Sequence, residues 1–316
     1  MIKYSINNNI YEKRIINRIN YHKDVIDFIK NDDDFFYSEN DFDFSFDTDS
    51  KILTYIASFN YKSFCDKYKQ DYILKKKKYN PKTINYKNYQ KYKEKYKNTD
   101  YYYFVKPKDG CAGENITLTK DPYSLIENDN NLIAQREIKS LLINNKKWDL
   151  RLYIVQQILD NKLNTYLFND GLIRISPYDY KTGDLQSNLT NISQINDNIN
   201  IINKCNMKFS DYEYYDIILK KIKKVLKDIH NHLNKFLDID SEYLSEFKLF
   251  GFDFIVSEDF NIYLLEINKI PSAITKKNSE EIKELKKKLY KSISQKFIKD
   301  VFLDIHDRND NFIKIN

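Results

Sequence analysis

Three side chains with oxygen atoms interrupt apolar stretches near the C-terminus. The run IYLLEIN carries Glu266 and Asn268, and the earlier run FGFDFIV carries Asp253. The segment SEDF between them is typical of a turn, so the two runs are predicted to form a hairpin. With Asp259 and Phe260 at the turn, Asp253 is expected to face Glu266 across the two strands. Glu266 and Asn268 then share one face, because strand side chains alternate with a period of two.

This arrangement of oxygen atoms is typical of a magnesium site. Directly opposed carboxylates repel each other and need a counter-charge when they are half buried. Mg²⁺ is a hard cation that accepts one or two carboxylates and completes its coordination with phosphate and water. The alternative is a couple of carboxylates that share a proton or pair with a lysine. We favour a metal held by Asp253, Glu266 and Asn268, because perturbed carboxylates cluster at functional sites.

A lysine at the end of a predicted strand indicates phosphate binding. Residues 101–106, YYYFVK, are expected to form a strand that ends at Lys106, and the loop after it holds a turn at Asp109 and Gly110, then Gly113. Loop N–H groups can close over phosphate oxygens while the ammonium neutralises their charge. The alternative is a plain hairpin flanked by lysine and glycine.

Two arginines in neighbouring predicted strands suggest an anion site. Asp149 and Arg151 share one face of the strand DLRLYIV. A turn is predicted at Asp170 and Gly171, and the strand LIRIS after it carries Arg174. Arginine on adjacent strands suits a carboxylate or phosphate, and arginines at a sheet edge are an equally good alternative.

The predicted sheet needs helices to cover it. Residues 210–238 have helical spacing of apolar side chains, with Ser210 as the expected N-cap. A second amphipathic helix is expected over about residues 279–303, and it should pack against the sheet.

Composition excludes several classes of protein. A chain of 316 residues with 41% hydrophobic residues is too apolar for disorder and long enough for two or three lobes. No apolar run is long enough to span a bilayer, and the N-terminus has no signal-peptide core, so we expect a cytoplasmic protein without a membrane partner. The net charge of +6 and a lysine-rich stretch near residues 75–97 suit an acidic polypeptide, and a solvated face is the alternative for most of these lysines. Nucleic acid is disfavoured because tyrosine is common along the whole chain rather than concentrated there.

Four pieces in this order resemble the tubulin–tyrosine ligase family of ATP-grasp ligases. They are FVKPKDGCAGENITL, QREIKSLLINNKKWDLRLYIV, GLIRISPY with NLTN, and FGFDFIVSEDFNIYLLEIN. The resemblance implies an α+β protein with the ATP-grasp fold, in which the nucleotide is held between two α+β lobes, together with a smaller N-terminal α/β domain. The expected domains are residues 1–78, the central lobe 79–139, and the C-terminal lobe with the metal site, 140–316.

The resemblance also implies ATP and Mg²⁺ as cofactors and assigns residues to them. Nucleotide contacts are expected from Lys106, Gly113, Gln135, Arg136, Glu137 and Ile138. Catalytic roles fall to Lys106, Arg151 and Arg174, and the metal ligands are again Asp253, Glu266 and Asn268. Two positions depart from the family pattern: Asn115 replaces the second loop glycine, and Asn188 replaces the histidine of HLTN. The family's N-terminal lysine corresponds to Lys67 or Lys69.

The implied activity is ATP-dependent ligation of an amino acid to a protein through an acyl phosphate. The expected partners are an amino acid and an acidic polypeptide, with tubulin or a tubulin-like tail as the candidate, and the expected state is a monomer. The alternatives are a ligase acting on a non-tubulin peptide or a small molecule, and a non-catalytic relative that binds tubulin or nucleotide.

Overall fold

The computed structural model describes seventeen stretches of the chain. They are residues 2–5, 35–38, 45–48, 51–54, 67, 70–71, 74, 77–87, 100–108, 115–159, 162–191, 201, 204–234, 245–268, 271, 278–297 and 311–316. The predicted turn at Asp109 and Gly110, together with Gly113 and Lys69, lies outside these residues.

Strands make up most of the described secondary structure. They are β1 (Ile2–Ser5), β2 (Phe35–Ser38), β3 (Ser45–Thr48), β4 (Lys51–Thr54), β5 (Thr83–Asn85), β6 (Tyr103–Pro107), β7 (Thr117–Thr119), β8 (Leu132–Arg136), β9 (Leu142–Ile143), β10 (Lys146–Leu159), β11 (Lys162–Asp179), β12 (Asn206–Lys208), β13 (Ser245–Val256), β14 (Ile262–Asn268) and β15 (Phe312–Lys314). The helices are α1 (Tyr123–Ile126), α2 (Leu185–Asn188), α3 (Tyr215–Leu233) and α4 (Glu280–Ser294), with a 3-10 turn at Phe209–Asp211. None of these helices combines the length and apolar character needed to cross a bilayer.

The strands form two main sheets. The smaller sheet has the order β5-β8-β6-β7. The larger has the order β12-β11-β10-β13-β4-β3, with β14 also paired to β13, β15 to β11 and β9 to β10. Strands β1 and β2 form a separate parallel pair. The protein is therefore a sheet-rich α+β protein, as predicted, whereas the domain boundaries remain predictions.

The β13–β14 hairpin has the predicted register where the chemistry is expected. Asp253 pairs with Glu266, and Gly251 pairs with Asn268. Closer to the turn the register shifts by one residue, so that Phe254 pairs with Leu264. A bulge of this kind adds one residue to one strand and increases the local twist.

The predicted turn at Asp170 and Gly171 is wrong, because both residues lie inside β11. Gly171 pairs with Leu152 of β10, and the register is irregular just beyond this point. A Cβ on Gly171 would lie 2.7 Å from the backbone oxygen of Arg151 and 2.6 Å from the Leu152 Cδ2 atom, so the strands approach too closely here for a larger residue. The Asp170 carboxylate accepts hydrogen bonds from the N–H groups of Gly171, at 2.7 Å, and Ser210, at 2.9 Å. Asp-Gly therefore marks an irregularity in a long strand rather than its start.

Helix α3 covers one face of the larger sheet. It is shorter than the predicted 210–238, and its N-cap is Tyr214 rather than Ser210. The Ser210 hydroxyl instead donates to the Asp170 carboxylate at 2.9 Å. Side chains from the helix and the sheet share one apolar core, which includes Ile218, Ile222, Leu226 and Ile229 from α3 and Leu150, Leu152, Phe252 and Phe254 from β10 and β13.

Helix α4 begins as predicted. The Ser279 side chain accepts a hydrogen bond from the N–H of Ile282 and caps the first turn. Its apolar stripe is buried, and the helix lies beside β11 and β12. The predicted end near residue 303 lies beyond the described part of the helix.

Candidate functional site

A cavity of about 160 Å³ lies between the two main sheets. Among the residues predicted for the site, its walls include Lys106, Gln135, Arg136, Ile138, Arg174, Asp253 and Glu266. Arg151, Glu137 and Asn268 do not line the cavity, but each is hydrogen-bonded to a residue that does: Arg151 and Asn268 to Asp253, and Glu137 to Lys147. The structure therefore brings together the predicted residues that it describes.

Strand β10 holds the charged centre because it lies between β11 and β13. Asp149 pairs with Arg174 on one side, and Arg151 pairs with Asp253 on the other. All four side chains project from the same face, since Asp149 and Arg151 are two residues apart. The opposite face carries Leu150 and Leu152, which belong to the apolar core.

Asp253 is bound by both arginines. Arg151 donates to it through Nε and, at 2.7 Å, through Nη2, and Arg174 Nη2 lies 2.9 Å from its Oδ2 atom. Burial alone would raise the pKa of Asp253, but the charges of Arg151 and Arg174 hold this pKa well below its usual range. Asp253 is thus an anion at any physiological pH.

Asp149 neutralises Arg174 from the other side. The Arg174 Nε–H donates to Asp149 Oδ1 at 2.6 Å, and the Thr190 hydroxyl donates to Asp149 Oδ2. Burial raises the pKa of Asp149, and the charge of Arg174 opposes that rise. Arg174 therefore bridges two carboxylates, Asp149 and Asp253.

Glu266 and Asn268 extend this centre. The Asn268 amide nitrogen lies 3.2 Å from Asp253 Oδ2 and 3.1 Å from Glu266 Oε1, so it bridges the two carboxylates. Lys67 Nζ lies 3.6 Å from Glu266 Oε2. The predicted alternative of a lysine-paired carboxylate is therefore present at Glu266, while arginines take that role at Asp253.

The donor set fits a hard divalent cation. Two carboxylates approach the same amide group, and carboxylate and amide oxygens are ligands that Mg²⁺ accepts. Within the described residues, no three His, Cys, Asp or Glu side chains are grouped to hold a metal ion by themselves. Water or phosphate oxygens would have to complete the coordination, as is usual for Mg²⁺.

Lys106 lies on the opposite wall, in the smaller sheet. Its ammonium donates to Gln135 Oε1 at 2.8 Å, across the β6–β8 pair. Burial lowers the pKa of Lys106 to about 8, and the charge of Lys67 adds to this effect, while Glu266 and Asp253 oppose it. An anion placed near Lys106 would favour the charged form.

A second cluster at this cavity was not predicted. Lys147, which is 3% exposed, donates to Glu137 Oε1 at 3.1 Å and to Asn188 Oδ1 at 2.6 Å. The Tyr180 hydroxyl also donates to Glu137, at 3.1 Å. Burial lowers the pKa of Lys147, and Glu137 partly offsets this. The sequence could have indicated Lys147 through the two-residue period of strand side chains, because Lys147 shares a strand face with Asp149.

The two departures from the family pattern have structural explanations. Asn115 has φ of 54°, a left-handed conformation that asparagine tolerates better than most residues. Asn188 uses its amide nitrogen to donate to the carbonyl of Asp184 at 2.7 Å while its oxygen accepts from Lys147. Of the two candidates for the N-terminal lysine, Lys67 lines the cavity.

These features define an α+β protein with a densely charged cleft between two sheets. A family model described as "Tubulin-tyrosine ligase family" matches residues 46–304, and the chain belongs to this family. It is 31% identical to tubulin polyglutamylase ttll-4 of Caenorhabditis briggsae over 206 residues, which cover 56% of this chain and 34% of that protein.

Other relatives include both a tubulin glycylase and a further tubulin polyglutamylase. The chain is 26% identical to tubulin glycylase 3F of Tetrahymena thermophila over 227 residues, 62% of this chain and 24% of that protein. It is 27% identical to tubulin polyglutamylase TTLL7 of Xenopus tropicalis over 208 residues, 54% of this chain and 22% of that protein. The matched part of the chain thus spans between 22% and 34% of the length of these three relatives.

Proposed function

We propose that this chain is an ATP-dependent ligase that joins an amino acid to an acidic polypeptide, with tubulin as the first candidate. Family membership and the names of the relatives support a protein ligase. The observation that carries the proposal is the cluster of Arg174, Asp253 and Glu266 on a cavity wall opposite Lys106, with Arg151 bound to Asp253. We further propose the ATP-grasp arrangement, with the nucleotide held between lobes built on the two main sheets.

The proposed reaction has two steps. An oxygen of the substrate carboxylate attacks the γ-phosphorus of ATP, the bond to the β-phosphate oxygen breaks, and ADP leaves. The amine of the second substrate then attacks the acyl phosphate, and inorganic phosphate leaves with its bonding electrons. The amine proton passes to phosphate or water, and an amide bond remains. Enzymes of this chemical type act mainly by positioning and charge neutralisation.

The nucleotide is proposed to lie along the smaller sheet. Lys106, on the wall formed by the smaller sheet, and Lys67, 3.6 Å from Glu266 on the facing wall, bring two cations to the cavity. Residues 135–138 run along the same cavity, where backbone groups and the Gln135 side chain can border the base. Lys106 would exchange its bond to Gln135 for phosphate oxygens, which are stronger acceptors because they are charged.

Asp253, Glu266 and Asn268 would hold Mg²⁺. The ion would supply positive charge to the phosphate oxygens as the γ-phosphoryl group transfers. Asn268 would rotate its amide so that oxygen rather than nitrogen meets the cation, a change of one terminal torsion. Arg151 and Arg174, which now neutralise Asp253, would then be available to orient a substrate carboxylate.

The decisive variant is Glu266→Gln, which removes one negative charge with little change in shape. We expect turnover to fall by about 10² to 10³ fold, the usual effect of losing one preorganised charge at a reacting centre. Glu258→Gln is the matched control, because Glu258 lies exposed at the turn of the same hairpin. Turnover of Glu266→Gln close to that of Glu258→Gln would refute the proposal for this residue.

The acceptor and amino acid are identified by incubating the protein with tubulin, Mg-ATP and each labelled amino acid in turn. A mass increase on tubulin that requires ATP supports the proposal and identifies the amino acid. ADP release without a protein acceptor would instead indicate a small-molecule ligase. Nucleotide binding without any ADP release would indicate a non-catalytic relative.

A further inference from the structure

Helix α3 presents a row of lysines on its outer face. Lys220, Lys224 and Lys227 are exposed and follow each other at spacings of four and three residues. This spacing places them on one side of a helix, over about 10 Å of its length at 1.5 Å per residue. We call these three residues the outer lysine stripe.

Within the described residues, the outer lysine stripe has no ion pair with a carboxylate. The nearby Asp228 is bound by Lys77, at 2.8 Å, and by the Tyr79 hydroxyl, at 2.9 Å. Asp216 lies one turn before Lys220 on the same helix but makes no ion pair with it in the described structure. The positive charge of the stripe is therefore open to a partner.

Helix α4 shows that lysine content alone does not produce such a surface. It also has lysines on its surface, but half-buried Lys283 has its Nζ 2.5 Å from Glu280, and exposed Lys287 has its Nζ 2.5 Å from Glu284. Each pair is separated by three residues, the spacing at which helix side chains meet. Among the described residues, only Lys288 and Lys291 of the exposed α4 lysines lack an ion pair, so the unpaired positive surface of α4 is smaller than the three-lysine stripe of α3.

The stripe lies on the side of the larger sheet that is away from the cavity. The apolar face of α3 packs on Leu150 and Leu152, whereas Arg151 and Asp253 project from the other face of the same sheet. The exposed face of α3 points away from its buried face. A group bound to the stripe cannot contact the reacting atoms in the cavity.

We infer that the outer lysine stripe is a docking surface for an acidic segment of the polypeptide acceptor, remote from the segment that reacts. This inference rests on the proposed function, which requires an acidic polypeptide. Charge complementarity identifies the partner, and helix α3, which is described along its whole length, has no exposed aromatic ring that would stack on a nucleobase. Ile217 is the only exposed apolar side chain on α3, so the helix lacks an apolar face that could enter a membrane.

A remote docking surface affects affinity rather than turnover. Contacts at the stripe are the same before and during the reaction, so they contribute uniform binding energy. Removing them should raise KM for a long acidic acceptor and leave kcat unchanged. A short acceptor that fills only the cavity should be unaffected.

The primary test measures binding of a fluorescein-labelled polyglutamate peptide by anisotropy. The variant Lys220→Gln/Lys224→Gln/Lys227→Gln should bind the peptide about tenfold more weakly, because the small contributions of three exposed charges add up. The control variant Lys287→Gln/Lys288→Gln/Lys291→Gln removes the same charge from α4 and should change affinity less than about twofold. Equal weakening by both variants would overturn the inference, because only net charge would then matter.

Two further measurements separate this inference from the proposed function. In the Glu266→Gln background, the triple lysine substitution on α3 should still weaken polyglutamate binding about tenfold, because docking at the stripe does not need the reacting centre. If the unaltered protein fails to bind polyglutamate while it modifies a protein acceptor, the docking surface is wrong and the ligase proposal stands. Stripe-dependent binding to a single-stranded oligonucleotide or to anionic vesicles that exceeds binding to polyglutamate would assign the surface to that partner and overturn the inference.

Thermal unfolding of both triple variants should match the unaltered protein, since all six lysines are exposed.

Discussion

The two ends of the cavity stabilise buried charge in different ways. At the Asp253 end, two arginines and two aspartates share their contacts, so that Arg174 bridges Asp149 and Asp253 while Arg151 also binds Asp253. At the Lys147 end, one lysine meets one carboxylate, Glu137, and neutral groups complete the cluster. Removing one member of the Asp253 network therefore breaks several ion pairs. The Lys147–Glu137 pair, in contrast, can be replaced as a unit without leaving an unpaired buried charge.

The largest effect should come from Asp253→Asn. This change leaves Arg151 and Arg174 buried with one carboxylate fewer, and breaking a buried ion pair in this way costs about 3–5 kcal/mol. We expect urea denaturation to show a loss of this size in the free energy of unfolding. Asp259→Asn, at the exposed turn of the same hairpin, is the control and should change it by less than about 0.5 kcal/mol. Equal stability of the two variants would mean that the network is not needed for folding.

Lys147→Met should have a smaller effect on the same measurement. It leaves Glu137 with Tyr180 as a hydrogen-bond donor, and the expected loss is about 1–3 kcal/mol. The double variant Lys147→Met/Glu137→Gln should recover most of this loss, because no buried charge then lacks its partner. A double variant that is less stable than Lys147→Met would show that Glu137 has a stabilising role independent of Lys147.

The pH dependence of nucleotide binding should report on Lys106. Its pKa of about 8 means that the ammonium is charged below pH 8 and loses its proton as the pH rises through this value. ATP phosphates favour the charged form, so the dissociation constant for ATP should increase about tenfold between pH 7 and pH 9. Lys106→Met should bind ATP more weakly at pH 7 and show a flatter profile over this range. An unaltered protein with a flat profile would exclude Lys106 from phosphate binding.

The smallest effect should come from Asn188→Ala at the Lys147 end. Asn188 is one of two acceptors for Lys147, so its loss leaves the lysine paired with Glu137 and costs about 0.5–1.5 kcal/mol of unfolding free energy. Gln186→Ala is the control, because Gln186 is exposed on the same short helix, α2. A loss above 3 kcal/mol would show that the two ends of the cavity do not differ in the way described.

Local patterns predicted the part of the site that lies on one hairpin. A short turn between two strands limits the possible registers, so the pairing of Asp253 with Glu266 followed from the sequence. The period of two also placed Asp149 and Arg151 on one face. The same reasoning failed at Asp170 and Gly171, because a dipeptide typical of turns also suits a bulge where two strands approach closely.

The sequence by itself determined the β13–β14 hairpin, the start of α4 and the candidate residues on single strands, because these depend on neighbours a few positions apart. Tertiary structure alone decided that Arg174 bridges two carboxylates and that Lys147 meets Asn188, 41 residues away. It also decided that the lysines of α3 point away from the cavity, because that direction depends on which sheet face the helix covers. Such contacts form only when strands and helices that are distant in sequence pack together, and local sequence patterns do not predict which side chains will then be in contact.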